Sequence, residues 1–343
     1  MDVLFDKLDD NIKETNRVYN VAVNTRSILD DLDEQFSKKT GLTCMDIQFL
    51  FIAIGLQILR QYLLTNDKFR ITANQGDKLM QDVLSLSPPS WQEVLTQSVP
   101  YDAIQTGVHV DDTGLSGVTH RYRTLGHDPL LGWVFGTANI MTNSLTKTTL
   151  ETYQVKNMQI VRHYPLGVNG MLKRAVEYGI NDPTLFATAV ARQAIHFGSD
   201  YFTKQGLPIP VVAMVSDDLA KNMLTKWHID TYSVTRGAMM STFINQLIFI
   251  IHGLFFDGKT EIERKLYEVR TRKILSYSNM VATSSNIAVI AVTRDLNKLD
   301  VGGAAVTIYR LITDRYFIKK VKEEFIFGSY RDMIRGNNDL SVG

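Results

Sequence analysis

The chain has 343 residues, of which 45% are hydrophobic, with 37 basic and 36 acidic side chains. This length suits one large helical domain or two domains with a sizeable buried core. The balanced charge argues against general nucleic-acid binding, although a phosphodiester substrate stays open. Cys44 is the single cysteine, so an intrachain disulfide and a cysteine-rich zinc site are excluded. Any metal must therefore bind to histidines and carboxylates.

The N-terminal part of the chain is predicted to be helical. Residues 2–38 have apolar side chains at helical spacing, which predicts a long amphipathic helix packed at a domain edge. The alternative is an arm that docks on a second copy, so a homo-oligomer stays open. A second helix is predicted from Asp46 to Leu64, and the prolines at 88 and 89 mark the end of this region. No basic segment followed by an apolar run begins the chain, so we expect a cytoplasmic protein.

Sparse strand signals favour an all-α, multi-helix bundle. We expect an N-terminal helical region (1–87), a central helical metal-binding domain (88–257) and a C-terminal helical region (258–343). A helix is predicted to start near Thr260, and two more to be separated by a turn at Gly302-Gly303. The chain also contains four uncharged stretches: Ile47–Leu59, Pro129–Thr146, Gly237–Phe256 and Ile274–Thr293. The first stretch is too short to span a membrane, and polar residues interrupt the three longer ones, so we expect helices buried in a soluble core. The alternatives are peripheral contact with the inner membrane and, less favoured, true membrane spanning.

The clearest local signal is a predicted helix over 183–204. Asp182 is a good N-cap, Pro183 suits the first helical position, and Gly206 is typical of a helix C-terminus. Within it, His196 and Asp200 are four residues apart and project from one face, so a single ion could bind to both. Taken alone, such a pair is more often a local ion pair.

A second polar cluster lies between residues 109 and 128. It contains Asp111, Asp112, His120 and His127, followed by Asp128-Pro129 at a predicted helix start. Asp directly before Pro at a helix start favours a capping role for Asp128 over metal binding. His163 and His252 are further candidates, but neither belongs to a recognised spacing, and a structural role is favoured for both.

These segments resemble a known family. The segment His120-Arg-Tyr-Arg-Thr-Leu-Gly-His127-Asp-Pro-Leu-Leu-Gly is similar to a motif of the membrane-bound metal-dependent hydrolases. That family's signature continues as His-x-x-x-Asp-x-x-Thr-x-x-Gly-x-Pro, which the segment from His196 to Pro208 matches at every named position. The order along the chain of an acidic residue, two histidines and then His-x-x-x-Asp is also similar to that of zinc-dependent phospholipase C. The resemblance covers about residues 111–208, departs from the family by the two extra residues Leu125-Gly126, and implies hydrolase activity.

The residues themselves suit a metal site, with His120, His127, His196 and Asp200 as candidate ligands. Mixed nitrogen and oxygen ligands favour Zn²⁺, with Mn or Fe as alternatives. A metal with an open position activates water, and Asp111 or Asp112 could serve as general base. Arg121 could neutralise a phosphoryl oxygen or, equally, pair with one of the aspartates.

The hypothesis is therefore a cytoplasmic bacterial protein that hydrolyses a small-molecule or lipid phosphoester by means of a divalent metal. The rival hypothesis is a non-catalytic helical assembly protein, with a structural metal or none. A closed site with four ligands would favour the structural role, and an open position beside an acidic group would favour catalysis.

Overall fold

A computed structural model describes residues 2–64, 73–85, 89–107, 110, 112–203 and 206–336. In this part of the chain the fold is all-α and multi-helical, as predicted. The α-helices are α1 (Asp2–Val23), α2 (Thr25–Lys39), α3 (Cys44–Leu64), α4 (Ala73–Ser85), α5 (Pro89–Leu95), α6 (His120–Arg123), α7 (Gly132–Thr142), α8 (Gly167–Asn181), α9 (Pro183–Phe202), α10 (Val212–Val215), α11 (Asp217–Lys221), α12 (Thr231–Gly253), α13 (Glu261–Thr293) and α14 (Val301–Arg335). The strands are β1 (Gln105–Thr106), β2 (Ser144–Thr146), β3 (Thr152–Lys156) and β4 (Gln159–His163).

Internal contacts divide the chain into two compact units. The first comprises Met1–Arg60, Met239–Asn286 and Gly303–Gly343, and the second comprises Gln61–Ala238 and Ile287–Gly302. The predicted N-terminal and C-terminal regions thus fall largely into one unit. The reason is an apolar cluster in which Leu32 and Phe36 of α2 pack with Val269 of α13 and Phe325 of α14. Apolar periodicity identifies the helices but does not say which distant helix each one meets.

The helix predicted over 2–38 is two helices, since the chain turns at Asn24 between α1 and α2.

The helix start predicted near Thr260 is confirmed by a reciprocal cap at the beginning of α13. Glu263 accepts hydrogen bonds from the backbone N–H groups of Lys259 and Thr260, and Thr260 Oγ1 accepts from Glu263 N–H. Gly302 lies in the first turn of α14 and not in a separating turn. A Cβ there would come within 2.1 Å of the Val234 carbonyl oxygen, so glycine permits a close approach of backbone segments.

The second unit contains the small sheet, in the order β1-β4-β3-β2. β1 pairs with β4 in parallel, while β3 is antiparallel to both β2 and β4. Asn157 and Met158 join β3 to β4 with positive φ angles of 51° and 60°, as a tight two-residue hairpin requires.

The helix predicted over 129–146 is shorter than expected. α7 ends at Thr142, Asn143 adopts the left-handed conformation, and residues 144–146 form β2. Asn139 Oδ1 accepts hydrogen bonds from Ser144 Oγ and Thr146 Oγ1, whereas Asn139 Nδ2 and Thr137 Oγ1 are buried without a hydrogen bond from the described residues. α7 is otherwise largely buried, which confirms the core position expected for this one uncharged stretch.

α7 and α9 approach closely because α7 presents glycine to α9. A Cβ on Gly136 would lie 2.3 Å from Oε1 of the buried Gln193 side chain. We expect Gly136→Ala to lower the free energy of unfolding by about 1–3 kcal/mol, since overpacking forces buried side chains to shift. Denaturant unfolding of the full chain measures this change.

Gly55→Ala provides the matched control. It is also a helical glycine, but a Cβ there meets no atom within 4 Å. We expect this substitution to stabilise the chain by about 0.5–1 kcal/mol. Equal effects at the two positions would contradict the packing argument.

Candidate metal centre

Five ionisable side chains of the second unit converge at one place. Asp102 ends a 3-10 turn over Pro100–Asp102, and His120 is the first residue of α6. His127 ends a second 3-10 turn, over Leu125–His127, while His196 and Asp200 lie on successive turns of α9. The side chain that N-caps α9 is Asp182, as predicted, and it accepts hydrogen bonds from Thr184 N and Leu185 N.

The donor atoms are spaced as they would be around one ion. His127 Nε2 lies 3.0 Å from Asp102 Oδ1, 3.2 Å from His196 Nε2 and 3.5 Å from Asp200 Oδ2. His196 Nε2 lies 3.2 Å from Asp200 Oδ2 and 3.6 Å from Asp102 Oδ1. Adjacent ligands bound about 2.0–2.1 Å from a metal lie about 3.0–3.4 Å apart in octahedral or tetrahedral geometry. The two groups Asp102–His120–His127 and His127–His196–Asp200 could therefore each hold a metal ion.

Hydrogen bonds to the far side of two imidazoles leave their Nε2 lone pairs facing the site. His120 Nδ1 lies 2.9 Å from the Ser116 carbonyl oxygen, which can only accept, so Nδ1 carries the proton. His127 Nδ1 lies 2.7 Å from Thr124 Oγ1, whose own proton is donated to the His120 carbonyl at 2.8 Å. The Thr124 hydroxyl must then accept from His127 Nδ1–H. Such a second hydrogen bond on the ring is typical of histidines that bind metals through the other nitrogen.

The carboxylate oxygens aimed into this cluster lack a hydrogen-bond donor. Asp102 Oδ1 and Asp200 Oδ2 are buried and make no hydrogen bond. Their neighbours are imidazole nitrogens, which in neutral His127 present a lone pair. Oxygen and nitrogen lone pairs directed at one point repel each other and lose hydration, and a cation between them removes both costs.

Arg121 holds Asp200 in place from the opposite side. Its Nη2 lies 3.0 Å from Asp200 Oδ1, and its Nη1 donates to Thr203 Oγ1 at 2.9 Å. The guanidinium thus engages the oxygen that points away from the cluster and leaves Oδ2 for an ion. Of the two roles considered for Arg121, the structure shows the salt bridge to an aspartate.

Electrostatics divide the cluster into neutral and charged groups. Burial lowers the pKa of His127, although the Asp102 and Asp200 carboxylates oppose this effect. Burial alone would raise the pKa of Asp200, but the interactions with His196, and then with His127 and Arg121, hold that pKa well below its ordinary value. Burial likewise opposes protonation of His196, but Asp200 and Asp102 outweigh it and raise the His196 pKa. A proton on His196 and a metal cation would compete for the same lone pair.

The buried ring of Tyr101 packs against the imidazoles of His127 and His196. The Tyr101 ring meets His127 and His196 edge-on, with ring centroids 5.0 Å and 5.3 Å apart. The Tyr101 hydroxyl donates to Gln193 Oε1 at 2.6 Å, and Gln193 Nε2 donates to the Gly126 carbonyl at 2.9 Å. The close packing of α7 on α9 therefore also sets the position of His127.

Of the four predicted ligands, His127, His196 and Asp200 form one donor group, whereas His120 shares the second group with His127 and Asp102. Asp128 caps the turn before α7, as predicted, since its Oδ1 accepts from the N–H groups of Leu130 and Leu131 at 2.9 Å each. His252 has the predicted structural role and lies 2.8 Å from Asp46 in the first unit.

Of the two candidate general bases, the described part of the chain contains only Asp112. Asp112 is exposed, and its Oδ1 accepts from Gly114 N at 2.8 Å in a local turn. It belongs to neither donor group, so its position does not support the general-base prediction. Asp111 lies outside the described residues, and its role stays a prediction.

Sequence reasoning missed Asp102. It follows Pro100-Tyr101 in a short turn, and no ligand spacing connects it to α9, almost a hundred residues later. The one available signal was the position of Asp102 at the start of the histidine-rich central segment.

Compared with known proteins, the chain matches no family model, no curated protein and no solved structure.

Proposed function

We propose that the chain is a metal-dependent hydrolase of phosphoesters and that Zn²⁺ is the resident metal. The observation that carries this proposal is the close approach of three donor atoms to His127 Nε2, namely Asp102 Oδ1 at 3.0 Å, His196 Nε2 at 3.2 Å and Asp200 Oδ2 at 3.5 Å, with the two carboxylate oxygens buried and without a hydrogen bond. Mixed imidazole and carboxylate ligands are those of catalytic zinc sites, and Mn²⁺ or Fe²⁺ accepts the same donors. A bound metal of this kind supplies activated water at neutral pH.

Access from one side supports catalysis over a purely structural role. The His127 side chain is fully buried, whereas those of His120, His196 and Asp102 retain 13%, 17% and 28% exposure. The partial exposure of these three side chains is the reason we favour an exchangeable position at the metal over a closed site, although the Asp102 oxygen that faces the cluster is itself buried.

An apolar cavity in the same unit supports an amphiphilic substrate. It has a volume of about 470 Å³ and is lined by residues of α7, α8 and α9, including Trp133, Leu172 and Phe186. None of the five side chains of the metal centre lines this cavity, and the contact nearest to the centre is the edge-on packing of Trp133 on Phe197 at 5.4 Å. Ligand cavities of this size and lining take apolar groups, and an acyl chain is such a group.

The test compares metal-loaded and metal-free protein on two substrates, an activated soluble phosphodiester and a phospholipid in mixed micelles. We expect the metal-loaded protein to turn over substrate and the metal-free protein not to, and we expect the phospholipid to be the preferred substrate. Trp133→Ala should raise KM for the phospholipid while leaving turnover of the soluble diester little changed, because only the lipid needs the apolar cavity.

Asp112→Asn is the matched control in the same assay. Asparagine can keep the hydrogen bond from Gly114 N, so we expect little change in rate, against the roughly 10²–10⁴-fold loss that removal of a general base causes. Metal-loaded protein without turnover on either substrate would overturn the hydrolase proposal and favour a structural metal.

A further inference from the structure

Four helical segments of the first unit, from α3, α12, α13 and α14, carry polar side chains in their interior, beside the buried apolar residues Ala53, Ile248 and Ile274, and apolar side chains on their outer surface. Their interior is joined by hydrogen bonds between polar side chains. Gln57 of α3 donates to the Ser241 carbonyl oxygen and to Asn245 Oδ1, at 3.1 Å and 3.2 Å. Asn279 of α13 donates to Asn245 Oδ1 at 2.7 Å. All four of these side chains are buried.

The polar interior continues between α13 and α14. Thr283 Oγ1 and Thr307 Oγ1 lie 2.7 Å apart. Farther along, Arg272 Nη1 donates to Asp314 Oδ1 at 2.8 Å, and Ser276 Oγ donates to Asp314 Oδ2 at 2.7 Å. The charged groups of this contact, Arg272 and Asp314, are therefore paired with each other, whereas Arg315 of α14 is exposed.

Most outward side chains at the same levels are apolar, although Thr242 and Gln246 of α12 are also exposed. Phe51 of α3 and Phe243 of α12 are each 68% exposed, and Ile312 of α14 is 66% exposed. Ile250, Met280 and Ile308 are exposed beside them. Isolated exposed apolar residues are ordinary, but bands of them on four adjoining helices mark a surface that something apolar covers.

The length of these helices and the charge they lack indicate what covers the apolar surface. α3 and α12 are each long and apolar enough to cross a membrane, and only 28% and 22% of their apolar windows are buried. The uncharged helical stretches of α12 and α13, at 237–253 and 274–293, correspond to about 25 Å and about 30 Å of helix, close to the thickness of bilayer hydrocarbon. In hydrocarbon, polar side chains turn inward and join the helices, while apolar side chains face lipid. A soluble core would place these side chains the other way round.

We propose that this part of the first unit, the belt formed by α3, α12 and the adjoining halves of α13 and α14, is embedded in the hydrocarbon layer of a lipid bilayer. The sequence prediction of buried soluble helices is thereby replaced for three of the four uncharged stretches, whereas α7 is a true core helix. The proposal rests on the first unit alone and is independent of the metal centre.

The test starts from the full chain, separated into soluble and membrane fractions. We expect the chain in the membrane fraction, resistant to high salt and to alkaline carbonate, and released by detergent. Phe243→Asp places a charge in the belt and should shift the chain out of the membrane fraction. Phe327→Asp is the matched control, since Phe327 is 62% exposed on α14 beyond the belt, and it should leave the distribution unchanged.

A second measurement covers the case in which Phe243→Asp fails to fold. Cys44→Ser removes the single native cysteine, and Met280→Cys or Phe327→Cys is then added one at a time. In phosphatidylcholine vesicles, a water-soluble maleimide should label the cysteine at 327 quickly and the cysteine at 280 only after denaturation in SDS.

Equal labelling at the two positions, or a chain that carbonate releases from the membrane, would overturn the proposal. A soluble protein that sediments as a dimer, with position 280 protected, would overturn it too and would assign the surface to a second copy.

Discussion

Replacing His127 with alanine is expected to abolish stoichiometric metal binding, whereas replacing His120 should only weaken it. His127 is common to both donor groups, but His120 belongs to one of them, so His120→Ala leaves His127, His196 and Asp200 in place. The measurement is elemental analysis of the purified variants together with the affinity for added Zn²⁺. His163→Ala, at an exposed strand position, is the control and should bind metal as the unmodified chain does.

The same site should make the thermal stability depend on the metal. An ion present at 100 to 1,000 times its Kd stabilises the folded state by about 3–4 kcal/mol, so a strong chelator should lower the melting temperature by on the order of 10 °C. His127→Ala should melt lower than the metal-loaded chain and show no further effect of chelator. A packing defect alone would lower the melting temperature but leave the chelator effect intact, so the two causes can be told apart. Metal-loaded protein that melts unchanged in chelator would refute the coupling.

The part of the centre that sequence could predict is the part with local geometry. His196 and Asp200 share a helix face whatever the rest of the fold does, and the prediction for Asp182 and Asp128 rested on capping chemistry that acts within three residues. Asp102 could not be found this way, because its approach to His127 depends on how a short turn packs against a distant segment. The complete metal centre depends on tertiary packing, and the spacing of residues along the chain carries no information on that packing.

The uncharged stretches show a related limit. An apolar composition indicates that a helix surface is shielded from water, but it does not indicate whether protein or lipid covers that surface. For α7 the replacement is protein, since glycines allow α9 to pack tightly and Asn139 bonds to β2. For α3 and α12 the polar side chains of Gln57 and Asn245 point inward, beside the apolar Ala53 and Ile248, while other apolar side chains point outward. The positions of Gln57 and Asn245 in the sequence could have suggested this only if their partners across the bundle had been known.

Asp46→Ala is expected to cause the largest loss of stability in the first unit, about 3–5 kcal/mol, because it removes the shared partner of several buried groups. Asp46 is fully buried at the start of α3. Its Oδ2 accepts from Thr43 N at 2.7 Å and lies 3.4 Å from Arg270 Nη1, while its Oδ1 lies 2.8 Å from His252 Nε2. One carboxylate thus caps α3 and binds both α12 and α13, so its loss leaves a cap and two cationic or polar side chains without an acceptor.

Asp182→Ala separates the cap from the rest of this effect. Asp182 caps α9 through two backbone N–H groups and is exposed, so its removal should cost only about 0.5–2 kcal/mol. The difference between the two variants measures the buried contacts with α12 and α13. A double-mutant cycle with His252→Ala then isolates the Asp46–His252 pair, and we expect the two changes to be strongly non-additive because the atoms are in direct contact. If Asp46→Ala cost no more than Asp182→Ala, the carboxylate would be acting as a helix cap alone, and the junction of the three helices would have to be held by the apolar contacts of Ala53, Ile248 and Ile274 instead.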